Sequence, residues 1–130
     1  MNATMMTLVG RWLLAALFLV AGIRKAMAVA GTAGYFAKLG FPAAEAMAWL
    51  AIVIEIGGAL MLIIGWKARW AAVLLAIFTV VATLMAHRFW QFDAAQYGNQ
   101  LNHFLKNFAI VGGLAFIWAY GPGRASVDRA

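Results

Sequence analysis

The chain has 130 residues, of which 66% are hydrophobic and only 11% are charged, and it contains no cysteine. Soluble domains carry about 25% charged residues, so this composition excludes an ordinary soluble domain and predicts an integral membrane protein. The absence of cysteine excludes disulfides, thiolate chemistry and clusters held by cysteine.

The formal net charge of +6 raises the question of nucleic-acid binding. The basic residues stand as singles and pairs between apolar runs, so they form no continuous basic patch. We therefore expect the lipid bilayer, with its anionic head groups, as the partner of these charges, and no nucleic acid.

The first predicted span covers about residues 5–27. A helix needs about 20 mostly apolar residues to cross a bilayer, so the chain has room for four spans and no separate soluble domain. The spacing 4-3-4-3 places one set of residues on a single helix face: Arg11, Ala15, Phe18, Gly22 and Lys25. Residues 28–30 imitate a signal-peptide cleavage site, but Arg24 and Lys25 lie between it and the apolar run. We expect this span to be retained.

The second predicted span covers about residues 43–64, with Pro42 as its first-turn proline. The connection before it, residues 28–41, is predicted to hold a short interfacial helix capped by Thr32 and ended by Gly40. Glu55 is the only charge deep in the second span. Four small residues share its face and predict that it packs inward: Ala48, Ala51, Gly58 and Ala59.

The third and fourth predicted spans cover about residues 70–88 and 102–120. A tight turn, residues 65–69, precedes the third span, and an aromatic connection with Asp93 as a candidate helix cap, residues 89–101, precedes the fourth. Residues 121–123, Gly-Pro-Gly, end the last span before a short polar tail. The predicted fold is all-α: an up-down bundle of four transmembrane helices in one domain, residues 1–130.

Many short segments of this chain occur in an order that resembles the DoxX family of small bacterial four-helix inner-membrane proteins. They are Gly10-Arg11, Gly22 to Lys25, Gly34-Tyr35, Gly40 to Pro42, Glu55 to Gly58, Gly65 to Arg69, His87 to Trp90, Phe104 to Asn107, Gly112-Gly113, Gly121 to Gly123, and Ser126 to Asp128. The resemblance runs nearly end to end. It implies a multi-pass inner-membrane protein with both termini in the cytoplasm, whereas the basic residues divide equally between the two sides and favour neither orientation.

The family takes its name from a subunit of a thiosulfate:quinone oxidoreductase. The resemblance therefore implies an accessory or quinone-binding subunit of a membrane redox process. Because fold and family do not determine a reaction, whether the chain is itself an enzyme stays open.

Ionisable groups inside a bilayer are candidates for function because they are costly to insert. The candidate cluster comprises Glu55, Lys106, Lys25, His87, Arg11 and Asn107. Glu55 is the deepest, and we expect it to face the bundle interior and to pair with at least one of Lys106, Lys25 and Arg11, of which Lys106 is preferred. Arg11 approaches from the opposite side of the membrane.

Two interpretations of this cluster remain open. In the first interpretation, the cluster forms a pocket for a quinone or a small anionic or thiol-containing ligand, with Glu55 and His87 able to move protons. Alternatively, it is an ion-pair network that fixes helix register in a structural, partner-stabilising or small-solute transport protein. A protein partner or a homo-oligomer is compatible with both.

We expect no metal site and no intrinsic cofactor, with quinone as the candidate ligand. His87 and His103 are the only histidines. Both lie near the interface without a recognisable haem pocket, so a bis-histidine haem is not predicted.

Overall fold

The computed structural model describes residues 2–129, and the regular structure in this range is entirely helical. The α-helices are α1 (Ala3–Ala26), α2 (Val29–Lys38), α3 (Ala44–Ile64), α4 (Ala68–Ala86) and α5 (Ala94–Tyr120), and a 3₁₀ turn, Phe89–Gln91, joins α4 to α5. Three of the described helical stretches are long and apolar enough to cross a membrane: Ala3–Ala26, Ala44–Ile64 and Ala68–Gln91. The fourth predicted span lies within α5, whose first half carries several polar residues.

The start of α2 differs from the prediction. Thr32 is not its N-cap, because the helix begins at Val29 and the Thr32 hydroxyl instead donates to the Ala28 carbonyl one turn earlier, at 2.9 Å. Pro42 is not a first-turn proline either. Ala43, with φ of 48°, separates it from the first residue of α3.

Most of the connection predicted at residues 89–101 is helical. The Asp93 carboxylate accepts a hydrogen bond from the Gln96 amide at 3.1 Å, so it caps a helix that begins at Ala94 rather than near residue 102. Aromatic rings explain the difference. Phe89 packs edge-on against Tyr97 and Phe104, with centroids 5.4 and 5.2 Å away, so the aromatic residues hold the 3₁₀ turn against α5.

Two helix pairs form the body of the molecule: α1 packs along α3, and α4 packs along α5. α3 also contacts α4, and α2 packs against α3. The predicted faces of α1 and α3 are confirmed, since Arg11, Ala15, Phe18 and Gly22 of α1 are buried. On α3 the small residues around Glu55 are buried as well: Ala48, Ala51, Gly58 and Ala59.

Gly22 allows α1 and α3 to approach closely at the level of Glu55. A Cβ atom at this glycine would lie 2.7 Å from Cγ1 of Ile56 and 3.1 Å from Cβ of Glu55. Close approach between small residues replaces the hydrophobic effect as a source of helix association in lipid. The glycine therefore fixes where α1 can present Lys25, one turn later, to α3.

The C-terminal segment, residues 121–129, folds back over the turn between α3 and α4, and we call it the tail. The Val127 and Asp128 amides donate to the Ile64 and Gly65 carbonyls at 3.0 and 2.9 Å. Gly65 has φ of 71°, and a side chain there would collide with Ser126. The tail thus covers one end of the bundle, which we call the tail end.

Asp128 caps α4 from outside that helix. Its two carboxylate oxygens accept hydrogen bonds from the Lys67 and Ala68 amides, each at 2.9 Å. A carboxylate at a helix N-terminus satisfies orphan amides and complements the helix dipole. The tail is therefore part of the fold, which its polar composition did not predict.

Candidate ligand cavity and its polar groups

Glu55 forms an ion pair with Lys25. The Lys25 ammonium lies 2.6 Å from Oε1 of Glu55, and the exposed fractions of the two side chains are 27% and 3%. Oε1 of Glu55 therefore has a cation directly beside it. The pair joins α1 to α3 and places a nearly inaccessible carboxylate behind a lysine that is partly accessible.

Lys106 is not the partner of Glu55, and this preferred pairing was wrong. The inward face of α5 carries Asn107, Leu114 and Ile117, which are seven and three residues apart and so share one side of the helix. Lys106 lies outside this face and is exposed. The helix packs mainly against α4, so its lysine does not reach the carboxylate on α3.

Arg11 belongs to a different part of the molecule from Lys25 and Glu55. It precedes Lys25 by 14 residues, which is about 21 Å along the same helix. Its guanidinium, 3% exposed, donates to the carbonyls of Pro122 at 2.5 Å, Ala125 at 2.7 Å and Ile63 at 3.3 Å. Arg11 therefore binds the tail, and the structure does not bring it to Glu55 and Lys25.

Asn107 also serves a contact between helices. Its side-chain amide donates to the Thr83 hydroxyl at 2.9 Å, and that hydroxyl donates to the Thr79 carbonyl at 2.6 Å. These bonds join α5 to α4 below the histidines. Polar contacts of this kind between helices are typical of membrane bundles.

His87 follows the last residue of α4 and contacts α5. Its Nδ1 lies 2.7 Å from Oε1 of Gln100, and its ring stacks on His103 with centroids 4.8 Å apart. Within residues 2–129 no group of three or more His, Asp or Glu side chains is placed to hold a metal ion. His87 is thus a hydrogen-bonded imidazole stacked on a second one.

A cavity of about 270 Å³ lies between α2, α3 and α4 at the end of the bundle away from the tail, which we call the cavity end. Its lining is aliphatic and aromatic, with Lys25, His87 and the Tyr35 hydroxyl as its polar side-chain groups. The lining residues are Lys25, Tyr35, Phe36, Leu39, Phe41, Met47, Leu50, Ala51, Ile54, Phe78, Val81, Ala82, Ala86 and His87. An apolar wall with a few polar groups is the usual composition of a small-molecule site.

The cavity opens on the outer surface of the helices. Leu50 of α3, Val81 of α4 and Tyr35 of α2 line it and are 49%, 47% and 49% exposed. On a spanning helix an exposed leucine or valine faces lipid. The exposed leucine and valine therefore place part of the cavity edge next to the hydrocarbon.

The sequence did not predict the aromatic roof of this cavity. Tyr35 and Phe36 of α2, with Phe41 after it, suggested only a helix at the membrane surface, but Phe36 and Phe41 pack with centroids 5.2 Å apart over the cavity. Gln100 was also missed. A glutamine in an aromatic connection carries no signal that it meets His87.

The family model of DoxX matches residues 6–88, which is more than half of the chain. The chain belongs to the DoxX family. The matched region contains the Lys25–Glu55 pair, the whole cavity lining and His87, whereas α5 and the tail lie beyond it.

Curated relatives extend the similarity to nearly the whole chain. The inner membrane proteins YphA and YqjF of Escherichia coli K12 are 31% and 36% identical over 122 residues, covering 94% of this chain and 87% and 88% of the relatives. ER-derived vesicles protein ERV29 of Saccharomyces cerevisiae is 26% identical over 81 residues, which are 62% of this chain and 26% of ERV29. No solved structure matches the chain significantly. These relatives and the spanning-length helices support a multi-pass inner-membrane protein.

Proposed function

We propose that this DoxX-family protein binds the head group of a quinone in its cavity, as an accessory subunit of a quinone-linked redox process. The observation that carries the proposal is the cavity itself: an aromatic and aliphatic lining, polar groups from Lys25, His87 and Tyr35, and exposed aliphatic side chains at its edge. A quinone is an apolar ring with hydrogen-bonding oxygens, and it moves within the hydrocarbon. These properties correspond to the lining, the polar groups and the position of the opening.

The volume supports a head group as the occupant. Complete small-molecule sites enclose about 300–1,000 Å³, and this cavity, at about 270 Å³, lies just below that range. It holds a substituted ring, while an isoprenoid tail leaves through the opening between Leu50 and Val81 and stays in lipid. A lateral opening makes a larger cavity unnecessary.

The ion pair supports the choice of a ligand with an oxygen acceptor. Lys25 both lines the cavity and contacts Glu55. Its ammonium has three donors, so it can bind Glu55 and still donate to a ligand oxygen. The carboxylate compensates the lysine charge, which lets a neutral ligand bind without bringing its own counter-ion.

A structural function without catalysis is the second candidate, and the polar contacts favour it. The Lys25–Glu55 pair joins α1 to α3, and the Asn107–Thr83 hydrogen bond joins α5 to α4. These polar groups are therefore already engaged with other side chains of the same molecule. In this alternative the protein stabilises a partner or passes a small solute, and the cavity holds no specific ligand. A binding measurement distinguishes the two.

We expect the purified protein in lipid nanodiscs to bind a short-chain quinone, measured by calorimetry. Ala82→Phe should weaken binding by about tenfold or more, because the ring fills a cavity whose wall Ala82 forms. Leu84→Phe is the matched control: it lies on the same helix, faces outward at 44% exposure, and should leave the affinity unchanged. Saturable binding that is equal in both variants, or no binding by the wild type, would favour the structural function.

We propose further that α5 is the fourth span, which gives one domain over residues 1–130 arranged as an up-down four-helix bundle with both termini in the cytoplasm. α5 has 27 residues, about 40 Å of helix, which exceeds the thickness of the hydrocarbon. Its C-terminal end delivers the tail to Arg11 and to the turn between α3 and α4. These contacts support a helix that returns to the side on which α1 begins.

Single cysteines test this orientation in a chain that has none of its own. In spheroplasts, Arg124→Cys in the tail should resist an impermeant maleimide, whereas Lys38→Cys at the end of α2 should react. Both positions are exposed, so protection reports the side of the membrane and not burial. Reaction of the tail cysteine with protection of the α2 cysteine would reverse the assignment.

A further inference from the structure

His87 lies between the cavity and α5, and its contact with Gln100 determines which ring nitrogen carries hydrogen. Nδ1 of His87 lies 2.7 Å from Oε1 of Gln100. An amide oxygen only accepts hydrogen bonds, so Nδ1 must be the donor. A neutral imidazole carries one hydrogen, which leaves Nε2 as an acceptor.

His87 lines the cavity, and Nε2 is the ring nitrogen that Gln100 does not contact. The cavity walls come from α1 to α4 and the segments next to them, whereas Gln100 is a residue of α5. Nδ1 is therefore occupied by a residue outside the cavity lining. Nε2 is the ring nitrogen left available to a ligand.

His103 holds the plane of the same ring. The two imidazoles stack at a centroid distance of 4.8 Å with 20° between their planes. Stacking limits the tilt of His87, while the bond to Gln100 limits its rotation within the plane. A ligand thus meets a fixed acceptor at His87 and a flexible donor at Lys25.

We propose that Gln100 is a positioning residue that keeps His87 as a hydrogen-bond acceptor, so that the cavity prefers the hydroquinone over the oxidised quinone. This preference rests on the proposed function. A hydroquinone donates one hydroxyl hydrogen to Nε2 of His87, and an oxygen accepts from Lys25. A quinone has only acceptors, so its oxygen near His87 would leave two lone pairs facing each other without a hydrogen between them.

The binding test uses tetramethylhydroquinone and its oxidised form, tetramethyl-1,4-benzoquinone, which has the same ring substituents and two oxygens but no hydroxyl hydrogen. Under anaerobic conditions at pH 8.5, where free imidazole is neutral, the wild-type protein in nanodiscs should bind the hydroquinone about tenfold more tightly. Gln100→Met should abolish most of this preference, and Gln100→Glu, which keeps the acceptor oxygen, should retain it. Gln96→Met, an exposed glutamine one turn earlier on α5, is the control and should behave as wild type. Equal binding of the two compounds by the wild type would overturn the preference.

A second measurement separates this inference from the proposed function because it needs no ligand. Nitrogen chemical shifts of ¹⁵N-histidine protein, with His103→Phe to assign His87 and keep the stacked ring, should show hydrogen on Nδ1. The Gln100→Met substitution in the same background should give a mixture of tautomers. Hydrogen on Nε2 in the unsubstituted site would overturn the role of Gln100 even where a quinone binds. Hydrogen on Nδ1 without binding of either compound would overturn the proposed ligand and leave the positioning role supported.

Discussion

Arg11→Met is expected to lower the free energy of unfolding by about 2–4 kcal/mol, the largest loss from any single substitution at the tail end. The methionine fills much of the same volume, but it donates nothing to the Pro122 and Ala125 carbonyls. Hydrogen bonds to a charged donor contribute more than neutral ones, and a buried carbonyl without a donor adds a desolvation cost. Unfolding by SDS in mixed micelles measures the loss.

Arg69→Met is the matched control for this prediction. Arg69 also donates to main-chain carbonyls, those of Trp118 and Ala119, but at 3.3 and 3.4 Å and from an exposed position. We expect its replacement to change the free energy of unfolding by less than about 0.5 kcal/mol. Equal losses in the two variants would show that the burial of Arg11 and its short bonds contribute nothing beyond a surface contact.

The tail should also loosen locally before the bundle unfolds. With Arg11 removed, the hydrogen bonds that still hold the tail to the turn between α3 and α4 are two main-chain bonds and the Asp128 cap on α4. Proteolysis within residues 121–129 should therefore be faster in Arg11→Met than in Arg69→Met. Unchanged cleavage with reduced global stability would place the effect of Arg11 within the helices instead.

Helix faces could be predicted from the sequence because spacing alone determines them. Arg11, Ala15 and Phe18 lie on one face of any helix, and Ala48, Ala51 and Glu55 on one face of another, whatever surrounds them. Both faces are buried. A cation for Glu55 could also be predicted, and Lys25 was one of the three candidates, but the choice among them could not be made in the same way. It depends on which neighbour packs closest at that level, and Gly22 draws α1, rather than α5, against Ile56.

The ends of the helices were harder to predict because their partners are remote in sequence. Asp128 caps α4 across 60 residues, and Arg11 binds carbonyls that follow it by more than 100. Local rules for caps consider only the next three or four residues. The same limit hid the contact of His87 with Gln100, which forms only because α5 begins at Ala94 and runs back beside α4.

Lys25→Met is the second substitution with a large expected effect, about 3 kcal/mol of lost stability. The reason is the difference in burial between the partners. Glu55 is 3% exposed and Lys25 is 27% exposed, so removing the lysine leaves a carboxylate buried without a cation. Removing the carboxylate instead leaves an ammonium that reaches the polar interface along its flexible stem. Glu55→Gln should therefore cost less than Lys25→Met.

The double variant Lys25→Met with Glu55→Gln isolates the pairing energy. It should be more stable than Lys25→Met alone, because the second change removes the stranded charge that makes the first one costly.

The control is the same cycle with Lys106→Met in place of Lys25→Met. Lys106 is exposed and does not pair with Glu55, so its effect should be small and should add to that of Glu55→Gln. Additive losses of stability in the Lys25 cycle, together with coupling in the Lys106 cycle, would show that Glu55 pairs with Lys106 of α5 instead. The expected result, coupling only through Lys25, ties the lysine that lines the cavity to the deepest charge in the bundle.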